Sequence, residues 1–304
     1  RRAVDPPPHP RSNAHMPPLT CKEARELGIS RRHLYSSAYR QLYRGVFVPA
    51  DEPLTVATWT NAARLILPTD AQPTGLTALQ LAGVDLGQPL PLHFATATQV
   101  RCRRPDLELH RREPGKVTRA MALAEHCSAV ALVDAVTVAD RAVQLEIIPF
   151  AEIFGLREHP SRRVRAAARL VRPGAESPQE TRTRLCLVLA GLPEPQLQVV
   201  VRDDGRFVGR FDMGYEEYAL LIEYEGDQHR VDKRQWSTDI LREERARQLG
   251  RSVVRITGEL FRDPWAQVLR VHRELVQRGY RGPEPSPSPA WEAAFGSVRG
   301  RRAT

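Results

Sequence analysis

The stretch that most constrains this chain runs from Phe207 to Arg230, FVGRFDMGYEEYALLIEYEGDQHR. It reads as two adjacent strands. Ala219 to Tyr224 is an apolar, branched and aromatic run, so a period of two places Leu221, Glu223 and Glu225 on one face. Phe207, Val208 and Phe211 supply the apolar positions of the preceding strand, which Asp212 follows. Gly214 to Tyr218 is long enough for a turn, and antiparallel neighbours joined there bring Asp212 near Glu223. Carboxylates gathered in a partly buried site repel one another unless a cation neutralises them. Mg²⁺ or Mn²⁺ is the expected cofactor, because a hard cation takes oxygen ligands and accepts one or two carboxylates plus substrate phosphates.

The 304 residues suggest two folded units plus tails. A formal charge of +9, mostly from arginine, suits a polyanionic partner, and a solvated basic surface is the plainer alternative. The four cysteines, Cys21, Cys102, Cys127 and Cys186, form no C-x-x-C pair, which argues against a zinc ribbon or disulfide scaffold and for a cytoplasmic setting. No apolar run approaches the roughly 20 residues of a membrane helix, so no membrane partner is expected. Residues 1–18 read as a disordered, proline-rich leader without the apolar centre of a signal peptide. Met16 as the true start and a fragment opening on Arg1 are both open readings.

From Leu19 the text becomes structured. Thr20-x-x-Glu23 is a capping box opening a helix that stops at Gly28. A second, basic helix from Ser30 carries Arg31, Arg32, His33, Tyr35 and Arg40, and Leu42 to Val48 around Arg44-Gly45 reads as a hairpin. This order predicts a winged helix-turn-helix over 19–53, with Arg31, Arg32, Arg40 and Arg44 as DNA contacts. The plainer reading is a small helical cap with solvated arginines. The segment LTCKEARELGISRRHLYSSAYRQLYRGVFVPA resembles the N-terminal winged-helix domain of AbiEi-type antitoxins, which implies promoter binding.

Residues 54–172 read as a mixed, mostly helical connector. Helices are expected at Leu54–Leu67, Thr77–Leu81, Ala129–Val143 and Arg162–Val171, and strands at Leu92–Ala95 and Leu107–His110. His93, His110 and His126 show no ligand-like spacing and are read as ordinary histidines. Pro173, Gly174 and Pro178 mark the start of the last domain, 173–280. There Ser177-Pro178-Gln179-Glu180 opens a helix ending at Gly191. Gln196–Val201 is a strand, Asp204-Gly205 a hairpin turn, and the two opening strands follow. A helix over Gln235–Leu249, a strand over Ser252–Thr257 and a helix from Glu259 to about Arg278 complete the order. The tail, 281–304, is rich in Pro, Ser and Gly and closes on Arg299, Arg301 and Arg302, so a disordered basic tail is expected.

The fold class expected is therefore α/β (α+β), with an α-β-β-β-α-β core at the C-terminus. This order, with Asp212 and Glu223-Tyr224-Glu225 on its second and third strands, resembles the restriction-endonuclease-like PD-(D/E)XK nucleases. More narrowly, SPQETRTRLCLVLAGLPEPQ, GRFDMGYEEYALLIEYEGDQHR and WSTDILREERARQLGRSVVRIT resemble very-short-patch-repair-like endonuclease domains. The resemblance implies a metal-dependent DNA endonuclease, with Asp212 and Glu223 as metal ligands and Glu180 completing the site. It also implies His229 and Asp239 as catalytic groups, with Arg242 and Arg245 as phosphate contacts. Glu225 departs from the pattern, standing where that family places a lysine. It is then a further ligand or water-orienting acid, or His229 has taken over the base role, or the domain binds without cutting. Plainer roles are helix capping for Glu180, a surface pair for Asp239 and a turn residue for His229. The rival function is a non-catalytic regulator of the antitoxin type, with DNA and a partner toxin as its partners. Self-association as a homodimer is open.

Overall fold

The computed structural model describes residues 16–113, 115–225, 233–258 and 262–296, with backbone alone for 233–240. It is a mixed α and β chain carrying three small sheets among the described residues. Two compact units form, one from residues 1–81 and 87–117, the other from 82–86 and 118–304.

In the first unit, β1 (Leu19–Thr20) leads into α1 (Cys21–Glu26), whose capping box is complete: Thr20 Oγ1 accepts the Glu23 N–H, and Glu23 takes the Thr20 N–H at 2.7 Å. α2 spans only Arg31–Leu34, shorter than expected. Ser36 ends it, its hydroxyl donating to the His33 carbonyl at 2.7 Å and accepting the Ala38 N–H, so the side chain competes with the helix for backbone partners. Arg40 accordingly lies in β2 (Tyr39–Tyr43), not on a helix. β2 turns through Arg44-Gly45 into β3 (Val46–Pro49), with Gly45 at φ +78°. The sheet order is β1-β3-β2, and Leu19, Ala24, Leu34 and Phe47 form its core.

After α3 (Val56–Arg64) comes a second sheet, β4 (Gln72–Pro73), β5 (Leu92–Thr96) and β6 (Leu107–Arg111), with α4 (Gly75–Leu81) between β4 and β5. β5 and β6 run parallel, His93 opposite Glu108 and Ala95 opposite His110. Leu92, Phe94 and Leu107 are buried with Tyr43, Val46, Ala62 and Ala63.

The second unit opens with four helices: α5 (Arg119–Ala129), α6 (Leu132–Gln144), α7 (Phe150–Leu156) and α8 (Arg162–Leu170). Of these, α5 and α7 have no counterpart in the sequence reading. α9 (Pro178–Leu189) starts as expected, with Ser177 Oγ accepting the Glu180 N–H at 3.2 Å and proline in the first turn. β7 (Gln196–Asp203) and β8 (Arg206–Tyr215) form a hairpin over Asp204-Gly205, both at positive φ. β9 (Leu220–Glu225), α10 (Lys233–Gln248), β10 (Ser252–Thr257) and α11 (Pro264–Gln277) complete the predicted order. The sheet order is β10-β9-β8-β7, with β9 and β10 parallel and the rest antiparallel. Val199, Val201, Phe211, Leu221 and Ala246 make a buried cluster between this sheet and α10.

The tail departs from expectation. Residues 289–295 form α12 (Pro289–Phe295), with Trp291 and Phe295 buried. The Trp291 indole donates to the Cys186 carbonyl at 3.0 Å, and the backbone N–H groups of Ser286 and Ser288 donate to the last carbonyls of α9. Composition called this segment unstructured, but two aromatics and a helix end in need of donors hold it in place.

Candidate functional site

β8 and β9 pair from Tyr215↔Leu220 through Met213↔Ile222 and then part. At the fork, the Asp212 carboxylate accepts the Tyr224 N–H at 2.7 Å, so a side chain replaces the next ladder bond. Glu223, on β9, sits 3.3 Å from the guanidinium of Arg242 on α10. Glu225 lies 3.7 Å from Arg255 on β10. Leu221, packed with Ala246, thus begins the acid-bearing face that the strand period predicts.

Glu180 approaches from α9. It is only 6% exposed, and its carboxylate accepts the Glu176 N–H at 2.9 Å and the Gln198 side-chain N–H at 3.0 Å. The bond to Glu176 means that the acid reaches past the Ser177 N–H that an ordinary capping box would use. Burial first, aided by the nearby Asp212 charge and opposed by its hydrogen bonds, pushes its pKa up to about 7. Asp212 is raised too, first by burial, while the Tyr224 N–H and Arg242 pull it down. Two desolvated acids therefore share one neighbourhood, and the Asp212 charge makes ionisation of Glu180 harder.

Arg242 is built into this site. Its guanidinium lies over the Phe211 ring at 4.8 Å and donates to the Arg210 carbonyl at 2.8 Å. Gly209 leaves room for its stem: a Cβ there would stand 2.4 Å from both Cγ and Cδ of Arg242. Arg245, one turn on, pairs with Asp203 and Gln248. Arg206, Arg210, Arg242 and Arg245 line a groove of about 730 Å³ between the β7–β8 hairpin and α10, with Phe207 on its wall.

The carboxylate oxygens of Asp212 and Glu223 suit a hard divalent cation, since two protein acids with the balance from water and phosphate satisfy Mg²⁺. Glu180, Asp212 and Glu223 do not form a ready three-ligand cage: among the described residues the group whose donor atoms lie mutually within 4.8 Å is His93, Glu108 and His110. His93 and His110, read from the sequence as ordinary histidines, thus stand together with Glu108; their spacing could not show this, because parallel pairing joins strands remote in sequence.

His229 and the side chain of Asp239 lie outside the described residues. In the first unit, Arg31, Arg32 and Arg44 are exposed, whereas Arg40 donates to the Glu52 carbonyl and is partly buried. Sequence reasoning also missed Arg255, Gln198 and Glu176. Arg255 supplies from the neighbouring strand a positive charge 3.7 Å from Glu225.

No family model and no solved structure matches the chain. Two proteins of Mycobacterium tuberculosis, uncharacterized protein MT2308 of strain CDC 1551 / Oshkosh and uncharacterized protein Rv2248 of strain ATCC 25618 / H37Rv, are each 30% identical to it over 123 residues. The match covers 39% of this chain and 45% of each relative, so less than half of the relatives' length is spanned.

Proposed function

We propose that the second unit is a metal-dependent endonuclease acting on DNA in repair or defence, and that its core is restriction-endonuclease-like. The observation that carries this is a pair of acids, the buried Glu180 and the half-buried Asp212 whose charge raises it, with Glu223 on the adjoining strand and an arginine-lined groove alongside. A bound cation would relieve the repulsion between them.

Asp212 and Glu223 would hold Mg²⁺ or Mn²⁺, which when bound supplies a polarised phosphate and a more acidic water. Glu180, with a pKa near neutrality, can hold or release a proton in the same neighbourhood. His229 is the proposed base and Asp239 a supporting acid. Glu225 with Arg255 forms a charge pair where a lone lysine is otherwise expected. Arg206 and Arg210 offer phosphate contacts alongside Arg242 and Arg245, and Phe207, 64% exposed between them, offers a ring for base stacking. In the first unit, α1, α2 and the β2–β3 hairpin are proposed as a winged helix-turn-helix docking on DNA through Arg31, Arg32 and Arg44.

A second reading, a DNA-binding regulator of the antitoxin type that does not cut, is favoured by one contact. Arg242 already stands 3.3 Å from Glu223 and supplies part of the neutralisation a metal would provide. Plasmid nicking with Mg²⁺ or Mn²⁺ separates the two. Cleavage by the wild type that is lost in Asp212→Ala supports the nuclease. No cleavage with either metal, with salt-sensitive DNA binding intact, refutes it in favour of the regulator.

A further inference from the structure

The first unit holds a second cluster of ligand-type side chains, on the parallel pair β5 and β6. His93 stands opposite Glu108 in the register, and His110 is two residues further along β6, hence on the same face as Glu108. His93 Nδ1 is 3.1 Å from His110 Nε2 and 3.4 Å from Glu108 Oε2. The two imidazoles lie nearly parallel, 23° apart with centroids at 5.4 Å.

Those separations are informative. Nitrogen and oxygen ligands bound at 2.0–2.2 Å around a tetrahedral Zn²⁺ stand about 3.4 Å from one another. The register sets Glu108 opposite His93, and all three donor atoms lie at separations that one shared cation would take.

The scaffold is preorganised. The His93 N–H donates to Thr77 Oγ1 at 2.9 Å and its carbonyl accepts the Thr74 N–H at 2.9 Å, so the strand is fixed by the start of α4. Leu92 and Phe94, on either side, are fully buried. His110 is held by the ladder to β5. Rigid strands with both flanking residues in the core are the kind of support a metal site requires.

The geometry points to a transition-metal site of the Zn²⁺ class in this unit, with His93 Nδ1, His110 Nε2 and a Glu108 oxygen as ligands and water as the fourth. Two imidazoles and one carboxylate favour Zn²⁺ over Mg²⁺, which takes oxygen ligands and keeps its waters. Glu108 is exposed, so the fourth position is reached from solvent. The site joins β5 to β6 and is independent of the acids proposed for the nuclease.

The test uses the full chain without an affinity tag, stripped with chelator and returned to metal-free buffer. Zn²⁺ is titrated calorimetrically, and Co²⁺ is followed by the visible absorption of its tetrahedral form. The wild type and Asp212→Ala should each bind one Zn²⁺ at this site. His110→Ala should lose the Co²⁺ band and weaken Zn²⁺ binding by at least about tenfold, the lower end of what even a supporting partner contributes. Glu108→Gln, which keeps the side-chain shape at an exposed position, should weaken it in the same direction with its circular dichroism unchanged. Absence of saturable Zn²⁺ binding in the wild type, or unchanged binding in Glu108→Gln and in folded His110→Ala, overturns the site.

Discussion

α9 carries two buried polar clusters on different sides, and they are built on opposite principles. Toward α6, Arg184 and Asp140 are both buried and joined at 2.9 Å, with further polar groups around them. Thr181 Oγ1 donates to Asp140 at 2.9 Å, the Arg172 N–H does the same, and Arg184 also reaches Glu194 and the Leu170 carbonyl. Toward the sheet, the buried Glu180 and half-buried Asp212 have fewer donors, and burial raises both, as it also raises Asp140. The first cluster has its charges matched inside the chain. In the second, Glu180 accepts from the neutral Glu176 and Gln198 N–H groups and Asp212 from the Tyr224 N–H, while the Arg242 and Arg210 charges offset part of the cost of burying Asp212.

That contrast can be broken by experiment. The largest effect is expected at Asp212: on the proposed function, Asp212→Ala should lower cleavage by more than the about 10²- to 10⁴-fold that a lost general acid or base costs, because the proposed metal ligand goes with it. Its unfolding midpoint in urea should stay level or rise, since a desolvated charge is removed. Arg184→Met should do the reverse. Removing one partner of a buried pair costs about 3–5 kcal/mol, read as a lower urea midpoint, with any loss of activity following loss of fold. If Asp212→Ala unfolds the protein and Arg184→Met does not, the assignment of the two clusters is the wrong way round.

Glu180 sharpens the contrast through pH. Its folded pKa, about 7, lies above the ordinary glutamate value of 4.5, so the folded state holds more protons between these limits. The metal-free protein should therefore lose stability as pH rises from about 4.5 to 7, by no more than about 3 kcal/mol. Glu180→Gln should flatten that slope, and denaturant midpoints across the range check it. Gly209→Ala is expected to cost about 1–3 kcal/mol, because its Cβ collides with the stem of Arg242 and pushes the guanidinium off Phe211. The smallest effect belongs to Arg245→Ala, which should weaken DNA binding alike for all sequences and reduce the slope of log affinity against log salt by about 1.

Much of the second unit was legible. The α9 cap at Ser177, the Asp204-Gly205 turn, the apolar run of β9 and the helix before β10 all have local signals, and the element order followed from them. In the first unit the capping box at Thr20 and the Gly45 turn were equally plain, but the helix expected through Arg40 ended at Leu34 because Ser36 takes its backbone partners. The break between α5 and α6 at Val130-Ala131 carries neither glycine nor proline, so composition could not mark it. Trp291 and Phe295 were invisible as anchors within a Pro- and Ser-rich tail.

The sequence by itself determined which residues alternate along β9, where the main turns and caps fall, and that Asp212, Glu223 and Glu225 belong to adjoining strands. Those are properties of periods and of single-residue conformational preference, which act over a few residues. Only the tertiary structure decided that Arg242 stands against Glu223, that Arg255 answers Glu225, that Glu180 shares the field of Asp212, and that His93 meets Glu108 and His110. Each of these depends on a helix crossing a sheet or on parallel pairing, so residues far apart in the chain acquire one another's charge only after the fold has closed.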